Sequence, residues 1–212
     1  MQINKLSSFF IPAINKGHTN GNKIMLVLHG LGDSLDSYKS FAQELNVTGL
    51  NFLLLNAPTP YFFGHSWYDI PPGNPTPGID HSSNILLEVI KDVLEHGFCY
   101  EDIFLCGFSQ GGCIALETFY KINKKIGGLI ALSPRIYIDN VPELISNKEK
   151  LMSPIFVAHG KFDPVISYED TLNGVRKIED LGHQVTFNSY DMEHEIDIQE
   201  IMDLRFWLNE KL

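Results

Sequence analysis

The sequence predicts an α/β protein built on a mostly parallel sheet, and three observations carry that prediction. From Lys23 onward, short apolar runs alternate with stretches of helical spacing, the pattern of a parallel sheet covered by helices on both faces. Runs such as IMLVL and IFVA are apolar at every position, as strands buried from both sides must be. Between one such run and one helical stretch stands Gly107-Phe108-Ser109-Gln110-Gly111. A Gly-x-Ser-x-Gly in a strand-turn-helix context is a nucleophile elbow, which lifts a serine hydroxyl clear of the sheet and narrows the prediction to the α/β-hydrolase fold.

The elements follow in order. Strands are expected near Ser8–Ile14, Lys23–His29, Phe52–Asn56, Asp102–Gly107, Gly128–Ser133, Ile155–His159 and Val185–Tyr190. The first two flank NKGHTNGN, rich in turn formers, so an N-terminal antiparallel hairpin is expected. Helices are expected near Ser37–Leu45, Asp80–Glu95, Gln110–Ile122, Val141–Lys148, Tyr168–Leu181 and Glu195–Lys211. No repeat, low-complexity tract or linker interrupts the pattern, and 212 residues suit one domain over 1–212. The segment Ala57–Ile79 fits neither element. It holds five aromatics and six prolines, and is expected to be a stiffened loop walling a binding site.

Composition narrows the partners. With 16 Lys+Arg against 26 Asp+Glu the formal net charge is −10, and no basic cluster breaks that excess, so no nucleic acid partner is expected. An anionic membrane is disfavoured on the same ground, whereas transient apolar insertion of the aromatic loop, or homodimerisation through it, stays open. Cys99, Cys106 and Cys113 lack metal-ligand spacing and read as thiols in a reducing compartment. The apolar run near the N-terminus is short and contains Pro12, unlike a signal peptide. A cytoplasmic protein is expected.

A serine nucleophile needs a base and the base an orienting acid, and on this fold their order is Ser, Asp or Glu, then His. Of eight histidines, His194 follows the last expected strand and precedes the last helix. His29 and His159 end strands but precede Asp163 in the chain, and read as structural. Asp163, in HGKFDPVI directly after a strand, is the expected acid, in preference to acids beside His194 that suit helix capping. The oxyanion hole is expected from the backbone N–H of Gln110 and, in the Gly-rich HGLGDS loop, that of Leu31.

The chain resembles the carboxylesterase/lysophospholipase/acyl-protein thioesterase family in HGLGDS, SWYD at Ser66–Asp69, GFSQGG, GKFDPVI and the EHE around His194, all in order. The resemblance implies hydrolysis of carboxylic esters or thioesters without cofactor or metal, on a small-molecule or lipid ester or an acylated protein. It assigns Ser109, Asp163 and His194 to the triad, Leu31 and Gln110 to the oxyanion hole, and makes Trp67 and its neighbours Phe62, Phe63 and Tyr68 walls of an acyl groove. Two departures stand out: ALSPRIYID replaces a small residue followed by Leu-Pro, and Glu193 stands where glycine is common. The alternative is a lipid- or membrane-surface-binding module that keeps the fold with little catalysis.

Overall fold

The computed structural model describes residues 5–14, 23–140, 142 and 147–212. Its main sheet is formed by β1 (Ser8–Ile11), β2 (Lys23–Leu28), β3 (Leu50–Leu55), β6 (Ile103–Phe108), β7 (Gly128–Leu132), β8 (Ile155–Gly160) and β9 (Val185–Tyr190). The spatial order is β1-β3-β2-β6-β7-β8-β9, parallel throughout except for β1 against β3. This is the α/β-hydrolase sheet the alternating pattern predicts.

Successive side chains of a strand point to opposite faces, and the two cores follow that rule. Ile24, Leu26, Ile103, Leu105, Leu129, Ala131, Ile155 and Val157 face one side, packed with Leu86, Val89 and Val93 of α2 (Pro75–Glu95), Ile114 and Phe119 of α3 (Gln110–Lys121) and Ile178 of α4 (Tyr168–Asp180). Met25, Val27, Phe104, Cys106, Ile130 and Phe156 face the other, against Phe41 and Leu45 of α1 (Tyr38–Leu45) and Leu204 and Trp207 of α5 (Ile198–Asn209).

Two sequence expectations change. β1 does not pair with β2: it lies antiparallel to β3, with Ser8 opposite Leu55 and Ile11 opposite Phe52. Turn formers report that the chain bends, not which strand it returns to. β2 is buried on both faces and takes β3 and β6 as partners, while β1, with Phe9 exposed, suits an edge. The turn-forming residues 15–22 lie outside those described, as does most of the expected helix Val141–Lys148.

The second change concerns Ala57–Ile79, which holds a small hairpin, β4 (Thr59–Tyr61) and β5 (Gly64–Ser66), and the first turn of α2. That helix starts at Pro75 rather than Asp80, with the Asn74 side chain accepting from the Thr76 N–H. Proline in a first helical turn loses no bond, since its missing N–H would have no partner there.

The topology reverses direction at β2. The chain passes from β2 outward to β3 and then returns to β6 on the other side, and a crevice opens where neighbouring connections diverge. Leu28 of β2 is opposite Gly107 of β6, so the HGLGDS loop and the elbow emerge side by side.

One buried group carries a thermodynamic consequence. Glu200, in the first turn of α5, is fully buried, and neither carboxyl oxygen has a partner among the described residues. Burial, with the Asp197 carboxylate adding, pushes its pKa up to about 8. The folded state therefore holds a proton that the unfolded chain releases in the ordinary carboxylate range, so this group's contribution to stability falls as pH rises toward 8. Glu200→Gln is expected to melt about 2–4 °C or more above wild type at pH 8, the gap narrowing by pH 5. A gap independent of pH in thermal melts contradicts this.

Candidate active site

Ser109 sits between the end of β6 and the start of α3 with φ 54° and ψ −114°, a backbone conformation that L residues rarely adopt. Close packing holds it there. A Cβ on Gly107 would come within 2.2 Å of the Gly111 carbonyl oxygen, and one on Gly111 within 2.3 Å of the Leu28 carbonyl oxygen. The Ser109 N–H donates to the Leu132 carbonyl at 2.8 Å, tying the turn to β7. Only glycines let β6, α3 and β2 approach so closely.

The structure brings Ser109, His194 and Asp163 together, although 85 residues separate the first two and 31 the last two. His194 Nε2 lies 2.9 Å from Ser109 Oγ. Its Nδ1 lies 2.6 Å from Asp163 Oδ2. With Nδ1–H donating to the carboxylate, Nε2 is the free acceptor for the serine proton. The imidazole packs on the Phe108 ring, centroids 4.8 Å apart, which fixes its plane.

Asp163 is held in turn. Its Oδ1 accepts from the N–H groups of Val165 at 2.8 Å and Ile166 at 2.9 Å, and its side chain is inaccessible to solvent. Burial opposes ionisation, but the Ile166 N–H, the His194 ring and the Val165 N–H outweigh it and hold the carboxyl below the usual range. It is therefore ionised at neutral pH.

His159 was expected to be structural, and its contacts reveal what it supports. It is fully buried, donates from Nε2 to the Ile166 carbonyl at 2.9 Å, and has Nε2 3.3 Å from Asp163 Oδ2. Burial lowers its pKa against the opposing pull of the Ile166 carbonyl and Asp163, so it stays neutral. His29 is also buried, its Nε2 accepting from the Ala57 N–H at 3.0 Å and its Nδ1 meeting the Gly30 carbonyl at 2.6 Å.

Leu31 and Ser109 line one cleft of about 390 Å³, with Gln110, Tyr68, Ile70 and Arg135. Gln110 opens α3, and the N–H groups at a helix start have no intrahelical acceptor. The Leu31 loop is clamped by β5: Gly32 N–H donates to the His65 carbonyl and His65 N–H to the Asp33 carbonyl, both at 2.9 Å. A separate hollow of about 270 Å³ lies beside His194, lined by Asp33, Tyr38, Glu44, Phe108 and Glu195. Glu193 is exposed.

The aromatics of 57–79 are divided. Tyr68 lines the 390 Å³ cleft. Trp67 is buried in the core, its indole N–H donating to the His29 carbonyl at 2.9 Å. Phe62 and Phe63 form the exposed tip of the β4–β5 hairpin and are not among the residues lining the cleft. Sequence reasoning missed the Gln110 side chain. Its Oε1 accepts from the Trp67 N–H at 2.8 Å and its Nε2 donates to the Tyr68 carbonyl at 2.7 Å. An amide can bridge an N–H and a carbonyl, so the variable position after the serine stitches SWYD to the elbow.

The sequence profile of the phospholipase/carboxylesterase family matches residues 10–212. The chain belongs to this family. Acyl-protein thioesterase 1 of Emericella nidulans is 32% identical over 95% of this chain and 93% of its own length. Two solved structures share the fold. The Bacillus cereus carboxylesterase matches with a TM-score of 0.82 at 15% identity, covering 98% of this chain and 95% of its own. Zea mays acyl-protein thioesterase 2 gives 0.76 at 21%, covering 97% and 98%. Family membership makes the chain a hydrolase of the esterase and thioesterase class. No helix among the described residues is long and apolar enough to cross a membrane.

Gln110→Ala leaves the Trp67 N–H and Tyr68 carbonyl without these partners in a buried setting, which costs about 1–3 kcal/mol. Denaturant unfolding is expected to show a loss of that order. An unchanged midpoint contradicts the bridging role.

Proposed function

We propose that the protein hydrolyses acyl thioesters and esters, from acylated proteins or lipids, with Ser109 as nucleophile, His194 as general base and Asp163 as orienting acid. One observation carries this reading: the chain of 2.9 Å and 2.6 Å contacts from Ser109 through His194 to Asp163, opening beside the 390 Å³ cleft.

The steps follow from that arrangement. The substrate carbonyl lies over Ser109 with its oxygen toward the N–H groups of Leu31 and Gln110. As Ser109 Oγ bonds to the carbonyl carbon, its proton passes to His194 Nε2, and the imidazolium gains stabilisation from the ionised Asp163. The two N–H groups hold the oxygen as it becomes an anion, in a site already formed before the substrate arrives. The bond to the leaving oxygen or sulfur then breaks, and His194 returns its proton to that atom. The leaving group departs on the His194 side and the acyl group remains on Ser109. Water enters, gives its proton to His194 and attacks the acyl carbon. As this second intermediate collapses, the bond to Ser109 Oγ breaks and His194 returns its proton to that oxygen, which frees the acid and restores the serine and the neutral imidazole. No step needs a further chemical group.

Independent contacts on each of the three residues favour catalysis over a binding module: Asp163 is held by two backbone N–H groups, His194 by the Phe108 ring, Ser109 by its strained turn. A site used only to bind would need none of these to converge.

A fluorophosphonate probe is expected to label wild-type protein covalently and to leave folded Ser109→Ala unlabelled. Asp163→Asn is expected to lower kcat by about 10³–10⁴ while keeping the fold, the size of effect seen when the orienting acid of such a triad is neutralised. Labelling that survives in Ser109→Ala, or absent labelling of folded wild type, overturns the reading.

A further inference from the structure

The 390 Å³ cleft is lined by Ser109 and Arg135 and the hollow beside His194 by Asp33, Glu44 and Glu195, so their charges differ. The leaving atom must lie against His194 Nε2 to receive its proton, so the leaving group occupies the His194 side. The cleft that Ser109, Leu31 and Gln110 line is left for the acyl group. Its lining is largely apolar (Leu31, Ile70, Pro71, Pro75, Val165, Ile166), with Arg135 the one charged residue among the described residues.

The fold presents Arg135 there. β7 ends at Leu132, Ser133 turns the chain with φ 41°, and Thr171 Oγ1 donates to the Pro134 carbonyl at 3.2 Å. Arg135 is half-buried and donates from Nη2 to the Val165 carbonyl at 3.2 Å. Among the described residues no carboxylate lines the cleft and none lies within ion-pair distance of this guanidinium. In a chain of net charge −10, a cation left facing an apolar cleft without an acid is unusual. Tyr137, on the same turn, lines the cleft and is half-buried. Its burial, partly offset by Arg135, raises the phenol's pKa, so it stays protonated and can donate.

An acyl chain ending in a methyl group would cover the guanidinium and remove its water without offering an acceptor, which is costly for any charge. A chain ending in a carboxylate would offer paired charge-assisted hydrogen bonds, the geometry for which a planar guanidinium is suited. The space agrees: at ~30 Å³ per water-sized group, the cleft holds on the order of a dozen non-hydrogen atoms, enough for a short or medium acyl chain with its terminal group.

We propose that Arg135 makes the acyl side of the site selective for chains that carry a carboxylate at the end remote from the scissile bond, that is, monoesters and monothioesters of dicarboxylic acids. This selectivity rests on the serine-hydrolase reading of the same site. Arg135 acts on binding of the acyl terminus and takes no part in the bond-making steps.

The test compares two esters with the same leaving group, p-nitrophenyl hemiglutarate and p-nitrophenyl pentanoate, one ending in carboxylate and the other in methyl. Wild type is expected to favour the hemiglutarate in kcat/KM by about tenfold or more, the ratio worth one charge-assisted contact of about 1.4 kcal/mol. Arg135→Gln is expected to abolish that preference, chiefly through KM for the hemiglutarate, and Arg135→Lys to keep part of it. The ratio within each protein is the readout, so a general loss of fold lowers both rates and leaves the ratio where it was. A wild-type ratio of one or less, or an unchanged ratio in Arg135→Gln, overturns the proposal while leaving the hydrolase reading intact. Failure of folded wild type to cleave either ester overturns both.

Discussion

The strained turn at Ser109 is the constraint on which the rest of the site depends. Holding a serine at φ 54° costs about 1–3 kcal/mol and persists only where the surroundings over-determine it. Here those surroundings are buried strands and the start of a buried helix. β6 lies between β2 and β7, Gly111 packs on the Leu28 carbonyl, and the Ser109 N–H is taken by Leu132. The same contacts that fix the backbone leave the start of α3 facing the crevice at the sheet's switch point. Strand order, glycine placement and serine exposure are therefore one arrangement seen at three scales.

Around that turn, side chains far apart in sequence are fixed by backbone partners rather than by one another alone. Asp163 is ionised and immobile because two N–H groups of its own loop bind one oxygen, leaving the other for His194. His159, near the end of β8, donates to the Ile166 carbonyl and so braces the loop that shapes the carboxylate. Gln110 spans to Trp67 and Tyr68, coupling the elbow helix to the wall of the cleft. We read these as the supports that keep the proposed reacting groups at hydrogen-bond distance before a substrate arrives, which is where preorganised sites gain most of their rate.

Much of this was legible in the sequence because it is written in local patterns. Doubly buried strands announce themselves as unbroken apolar runs, and the strand–GFSQG–helix context identifies the elbow without any tertiary information. Chain order placed Asp163 and His194 after their strands. What the sequence did not carry was spatial adjacency. The turn formers before Lys23 suggested a hairpin, yet pairing is decided by which strand needs a partner, and β3 needed one. The aromatics of 57–79 looked alike in sequence but met different fates. Trp67 turned inward because its indole N–H found the His29 carbonyl, Tyr68 reached the cleft, and Phe62 and Phe63 were left at the tip of a hairpin too small to bury them. The significance of Arg135 was equally hidden, since an arginine matters to a cleft only once its neighbours are known to lack an acid.

Catalysis turns on how a tetrahedral centre sits at Ser109, so the most direct measurement is a crystal structure of the phosphonylated enzyme. Phosphorus bonded to Ser109 Oγ, with its oxygen accepting hydrogen bonds from the Leu31 and Gln110 N–H groups and His194 Nε2 near the leaving-group position, is the predicted result. A phosphonyl oxygen turned away from those two N–H groups, or an adduct on any other residue, would contradict it.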